Sequence, residues 1–108
     1  MVGKEDLSKC PVAVTVGLIG SRWKLLILRN LLMRPWRFNE MQKSLIGISQ
    51  KVLTSSLREL ERDGLIYRKD YCTNPPRVEY GLTELGEQMG PTLEAMAAFG
   101  KYYTKNRE

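Results

Sequence analysis

Gly47-Ile48-Ser49-Gln50-Lys51-Val52-Leu53-Thr54-Ser55-Ser56-Leu57-Arg58-Glu59-Leu60-Glu61-Arg62-Asp63-Gly64-Leu65-Ile66 is the stretch whose reading decides the fold. At about 100° per residue it divides into two faces. Val52, Leu53, Ser56, Leu57 and Leu60 fall on one, an ordinary core stripe. Gln50, Lys51, Thr54, Ser55 and Arg58 fall on the other. That second face carries amide, ammonium, hydroxyl and guanidinium groups with no carboxylate between them, and these groups donate to phosphates and base edges. Ser49 is placed to cap the helix and Gly64 to end it in the left-handed conformation. Residues 49–63 therefore read as a DNA-recognition helix.

Working outward toward the N-terminus, residues 39–45 read as a short helix with Phe38, Met41 and Leu45 inward. Ile46-Gly47-Ile48 is a tight connection, and two short helices joined this way form a helix-turn-helix. Trp36-Arg37-Phe38 is a short extended piece. Residues 22–33 form a helix that Ser21 caps and Arg34-Pro35 ends. Being apolar around most of its circumference, it belongs in the middle of a domain. Pro11 starts a helix that reaches about Ile19, and Gly20-Ser21 breaks it. Residues 1–9 are polar and mixed in charge, and are expected to be a flexible tail.

Toward the C-terminus the period changes to two. Residues 65–71 and 77–82 read as strands, with Cys72-Thr73-Asn74-Pro75-Pro76 as the turn between them. Lys69 and Arg77 stand near its tip. Thr83 caps a final helix, which Gly90-Pro91 should kink or restart. Trp23, Phe38 and Tyr80 are expected in the core. Trp36 either packs at the domain edge or lies exposed.

The chain has 108 residues, 43% apolar and 27% charged, which fits one globular domain. Its net charge of +5 suits nucleic acid but also a merely soluble surface, so the placement of charge decides. There is no histidine, which removes histidine-dependent triads and most catalytic zinc sites. Two cysteines, Cys10 and Cys72, make neither a structural zinc site nor a disulfide scaffold, and a reducing cytoplasm is the simplest setting. No Gly-rich phosphate loop is visible. Neither an enzyme nor a cofactor or metal is expected. The weakly polar run at residues 10–20 follows Glu5 and Asp6 and precedes Arg22-Trp23-Lys24, so it is not expected to be a signal peptide. No run reaches the ~18 apolar residues that span a bilayer, and no membrane association is expected.

Helices, a two-stranded hairpin and a further helix, in this order, make a winged helix-turn-helix. The fold class is mainly α with a small β-hairpin wing (α+β). A single domain is expected over residues 10–108, with a DNA-binding core of about 22–82 and extra helices at about 10–20 and 84–104. Several separated motifs add to this. They are Cys10-Pro11-Val12, Ile19-Gly20-Ser21-Arg22-Trp23-Lys24, Arg37-Phe38-Asn39-Glu40 and Gly47 through Thr54. Leu57 through Leu65, Pro75-Pro76-Arg77-Val78-Glu79-Tyr80 and Leu82-Thr83-Glu84-Leu85-Gly86 complete the set. In this order they make the chain resemble the HxlR-type transcriptional regulators, relatives of the MarR-like winged-helix proteins. The resemblance runs from Cys10 to about Gly100. Arg34 departs from it where the family often has glycine, Ile46 and Cys72 where it often has proline.

The resemblance implies a homodimer on double-stranded DNA, usually acting as a repressor. One recognition helix per subunit lies in a major groove and the wing lies along the flanking backbone. A helix of this length is ~21 Å and fits a groove ~12 Å wide. Ser49, Gln50, Lys51, Thr54 and Ser55 would then be nearest the bases, and Gln50 is the best adenine reader. Arg58, Arg37 and Asn39 would take backbone phosphates, and Asn74 and Arg77 would be the contacts of the wing. Glu61 should lie outside the groove. A winged helix used as a protein-interaction module is the competing reading, but it should lack the donor-rich face.

The terminal helices are extra to a winged helix. Val12, Val16 and Ile19 share a side of the first, and Leu93, Met96, Ala97, Gly100 and Tyr103 form a stripe on the last. They are either intrachain core or a two-fold dimer interface, and the dimer sets the recognition helices one DNA turn apart, ~34 Å, on an inverted repeat. Cys10 also has two readings. It is a small packing residue, or a thiol whose thiolate is favoured by the helix N-terminus and by Lys9. The resemblance points to the second, since family members often sense oxidants or electrophiles with a cysteine here. An oxidant or small-molecule effector is then expected, and Cys72 is either an exposed spectator or the partner in an intersubunit bond.

Overall fold

The computed structural model describes residues 10–107. The tail expected at residues 1–9 lies outside them. Among the described residues six helices and three strands follow one another as α1 (Pro11–Ile19), α2 (Arg22–Met33), β1 (Trp36–Arg37), α3 (Phe38–Ser44), α4 (Gln50–Arg62), β2 (Ile66–Asp70), β3 (Val78–Leu82), α5 (Glu84–Glu87) and α6 (Gly90–Asn106). Among the described residues no single helix is long and apolar enough to cross a membrane.

α2 forms the centre, packing against α1, α4, β3 and α6. Ser21 caps it, its hydroxyl oxygen accepting the Lys24 N–H at 3.3 Å. Ile27, Leu28, Met41, Leu53, Leu57, Leu60 and Ile66 are fully buried. Each such side chain contributes roughly 1.5–3 kcal/mol relative to exposure. Trp23, Phe38, Tyr80 and Trp36 pack on the edge of this core. Trp36 is fixed there by its indole N–H, which donates to the Asn30 carbonyl at 2.9 Å.

The β2–β3 hairpin forms as expected, and the extended piece at β1 joins it as a third strand, giving an antiparallel sheet of order β1-β3-β2 with Trp36 opposite Tyr80 and Arg37 opposite Glu79. Two expectations are corrected. The short helix begins at Phe38 rather than Asn39, because Arg37 takes the extended N-cap position. Val52, placed on the core stripe, is 36% exposed at the edge of α4. The final helix restarts at Gly90-Pro91 as expected: Thr83 caps the single turn of α5, and α6 begins at Gly90 with Pro91 in its first turn.

The molecule is extended for its length. Its radius of gyration is 16.0 Å and its extents are 58 × 38 × 25 Å, against about 13 Å for a compact chain of this size. The cause is α6, whose 17 residues include none that is buried.

Candidate nucleic-acid interface

α4 is built as its two faces require. The Ser49 hydroxyl oxygen accepts the Val52 N–H at 3.1 Å, which satisfies one orphan donor of the first turn. Its own O–H remains available to donate. At the far end Asp63 and Gly64, the latter at φ 80°, close the helix. Leu53, Ser56, Leu57 and Leu60 are buried. Gln50, Lys51, Thr54, Ser55 and Arg58 together line one open surface on the opposite side, and Glu59 borders it. Among the described residues neither Lys51 nor Arg58 has a carboxylate within ion-pair distance. The Ser55 hydroxyl donates back to the Val52 carbonyl at 3.1 Å, so this residue presents lone pairs outward rather than a proton.

Glu59 is the part of the surface that the sequence did not bring out. Its carboxylate is held by the Lys24 ammonium of α2, a side chain only 10% exposed. The hydrogen bond from Lys24, helped by its charge, holds the Glu59 carboxyl below the usual carboxylate range. A negative group beside the donor face is thereby neutralised from beneath.

The start of α3 is also prepared. The Glu40 carboxylate accepts the Arg37 N–H at 2.9 Å and lies 3.4 Å from the Arg34 guanidinium. The backbone hydrogen bond is the main cause of its lowered pKa. Arg34 also stacks on Trp36 at 3.8 Å, which gives this departure from the family pattern a bracing role. Arg37 and Asn39 are both exposed. Asn30, buried at 4%, ties α2 to α3 by donating to the Ser44 hydroxyl at 3.2 Å.

In the wing, Asn74 is exposed at the tip. Arg77 is not a free fingertip. It stacks on the Tyr71 ring at 4.2 Å and approaches Glu79 at 3.6 Å, with its Nε buried. Lys69 lies over the same ring at 4.7 Å, and the Tyr71 hydroxyl donates to Glu79 at 2.9 Å. These side chains brace the outer face of the hairpin. Cys72 is exposed with φ 53°, a value that the proline ring forbids. Its N–H donates to the Asp70 carboxylate at 2.8 Å.

Cys10 is half-buried, is a free thiol and occupies the N-cap of α1 with no side-chain capping bond. Val12 and Val16 are 71% and 57% exposed, whereas Ile19 at 7% is part of the chain's own core. Leu93 also packs against that core. Met96, Ala97, Gly100 and Tyr103 remain exposed, and Phe99 and Tyr102 extend their surface. α1 and α6 enclose a shallow groove lined by Pro11, Val12, Val16, Thr92 and Met96.

A helix-turn-helix with a donor-lined second helix and a three-stranded wing defines a DNA-binding transcriptional regulator of the winged-helix class. The chain belongs to the HxlR-like helix-turn-helix family, which it matches over residues 18–108. It is 44% identical to the HTH-type transcriptional regulator YdeP of Bacillus subtilis, over 92% of this chain and 77% of that protein. Among solved structures, the redox regulator HypR in its reduced form superimposes with a TM-score of 0.82 at 39% identity, covering 85% of this chain and 91% of HypR. The reduced form of the regulator YodB from B. subtilis matches with a TM-score of 0.78 at 32% identity, covering 92% of this chain and 98% of YodB.

Proposed function

We propose that the protein is a homodimeric repressor that reads an inverted-repeat operator in double-stranded DNA through α4, and that oxidation at Cys10 controls it. One observation carries the DNA reading: Gln50, Lys51, Thr54, Ser55 and Arg58 share an exposed face on a helix whose opposite face is spent in the core. In this reading Gln50 contacts a base, and Ser49, Lys51, Thr54 and Ser55 contact bases or adjacent phosphates. Arg58, Arg37, Asn39 and Asn74 hold the backbone, and Arg77 stiffens the wing. The protein acts where DNA and reduced thiols coexist, in the cytoplasm.

The dimer reading is supported by α6. Its exposed Met96, Phe99, Tyr102 and Tyr103, continued by Val12 and Val16 of α1, form an apolar surface that no other described residue covers. Cys10 stands at the end of that surface. A change there would alter how the two copies, and so the two recognition helices, are spaced. HypR, named as a redox regulator, supports the same reading by similarity.

The test is selection of bound duplexes from a random pool, followed by affinity measurements on the selected operator. Gln50→Ala should cost ~1–3 kcal/mol and relax preference at one base position. Arg58→Ala should weaken all duplexes about equally. If neither variant changes binding, the assignment of this face is wrong. For Cys10, oxidised wild type should lose operator affinity and Cys10→Ser should not. Unchanged affinity in the oxidised wild type sinks the sensor reading.

A further inference from the structure

We propose that the cleft between α4 and β2 binds one DNA backbone phosphate, with Arg68 as its ligand on the wing side and Arg58 on the helix side. This deepens the DNA-binding reading above and rests on it. The sequence singled out Arg77 and Asn74 as the contacts of the wing, and Arg77 proves to be engaged with Tyr71 and Glu79. The hairpin would then lack a free cation toward the helix, unless another residue supplies it.

Arg68 does. Ile66 is 2% exposed and points into the core. Side chains alternate along a strand, so Arg68, two residues on, projects from the same face toward α4. Its partner across the ladder is Tyr80, which packs against the core. A cavity of about 320 Å³ lies between these elements, lined by Phe38, Thr54, Arg58, Glu61, Arg68 and Tyr80. That is room for on the order of ten water molecules, enough for a hydrated phosphate. Three lining residues offer donors besides Arg68: the Arg58 guanidinium and the hydroxyls of Thr54 and Tyr80. Among the described residues neither arginine has a carboxylate within ion-pair distance. Glu61 is the one acidic group on the wall, so two guanidiniums outweigh one carboxylate. The aromatic sides keep water from part of the cleft and strengthen the field that remains.

The position fits the ligand. With α4 in a major groove and the hairpin over the flanking backbone, the strand that borders the groove passes between them. A phosphodiester entering this corner meets two guanidiniums set on different elements. It would fix the angle between helix and wing on the duplex, and so the register at which Gln50 meets its base. Arg68 is thus a positioning residue for base reading.

The experiment is a salt titration of full-length protein on a fluorescent random-sequence duplex and on the selected operator. Wild type is compared with Arg68→Gln, Arg68→Lys and Arg77→Gln, and thermal melts check that each is folded. Arg68→Gln should weaken both duplexes about ten-fold, one charge-assisted hydrogen bond. It should also reduce the slope of log affinity against log salt by about 1. Arg68→Lys should restore the slope, and Arg77→Gln should leave it unchanged. Glu61→Gln should tighten binding to both duplexes. Inorganic phosphate in place of chloride at constant ionic strength competes for the same guanidiniums, so it should weaken wild type more than Arg68→Gln, and an equal loss in both would overturn the proposal. A folded Arg68→Gln with wild-type affinity and slope would overturn it too, while leaving the DNA-binding reading intact. Wild type that binds neither duplex in a salt-dependent way removes that reading itself.

Discussion

Lys24 lies almost wholly out of water beneath the recognition helix, and Glu59 is its counter-charge. A buried ammonium is tolerated only when paired, so the two side chains depend on each other. The Glu59 carboxyl titrates lower in the folded protein than in the unfolded chain, first because of the hydrogen bond from Lys24. Its stabilisation is therefore complete above the ordinary carboxylate value, ~4.3. It is lost as pH falls through the lowered folded value. Glu59→Gln should melt below wild type at pH 7, and the gap should close toward pH 3. A gap that stays constant over that range would assign the cost to packing instead of charge. None of this pairing could be read from the sequence, because residues 24 and 59 are far apart and a lysine on a helix is ordinarily solvated. The same limit hid the engagement of Arg77. Its position near the hairpin tip was legible, but its stacking on Tyr71 depends on which face of the strand each side chain takes.

At the scale of elements, the helices were legible because their signals are local. Pro11, Ser21, Ser49 and Thr83 mark starts, and α4 in particular shows a clean division of faces. β1 was legible only as an extended piece, since two residues carry no period, and its pairing with β3 is a long-range event. In the Leu82-Thr83-Glu84-Leu85-Gly86 motif Thr83 is a helix cap and more than that. The Thr83 hydroxyl donates to the Gly64 carbonyl at 2.6 Å and accepts the Gly86 N–H at 3.0 Å. The Thr83 N–H also donates to the Leu65 carbonyl at 3.1 Å. α5 thus clasps the C-terminal end of the recognition helix and fixes where the wing leaves it. The clasp needs close backbone approach, and a Cβ on Gly86 would collide with the Leu65 carbonyl oxygen. Backbone cannot swing aside as a side-chain tip can. Gly86→Ala should therefore cost about 1–3 kcal/mol. Roughly 4–8 °C of melting temperature is lost per kcal/mol in a domain of this size. An unchanged melting temperature would mean that α5 yields freely and does not set the angle of the wing. Thr83→Ala should cost about 1 kcal/mol through loss of the cap alone.

For the molecule as a whole, the shape is the most informative property. A 17-residue helix with no buried residue has little to hold it, because most helical stability in proteins comes from packing of an apolar face. α6 nevertheless carries Met96, Phe99, Tyr102 and Tyr103 on its surface. It also places a mid-helix glycine, Gly100, where a Cβ would meet nothing within 4 Å among the described residues. Glycine there disfavours the helix by about 1 kcal/mol relative to alanine, a cost that makes sense if another helix passes close by. The sequence showed the apolar stripe but could not apportion it. Ile19 and Leu93 are drawn into the chain's own core by α2, while Val12, Val16 and the outer turns of α6 are left over. In the proposed dimer a second copy across a two-fold axis would cover them and supply the second recognition helix. Phe99, 66% exposed, is the residue to change, because the monomer does not need it to fold. Phe99→Asp should sediment as a folded monomer where wild type sediments as a dimer. It should bind the selected operator roughly 100-fold or more weakly, since each half-site must then be held alone. Its affinity for an isolated half-site should match that of wild type. A variant that remains dimeric with full operator affinity would place the two-fold contact elsewhere on the molecule.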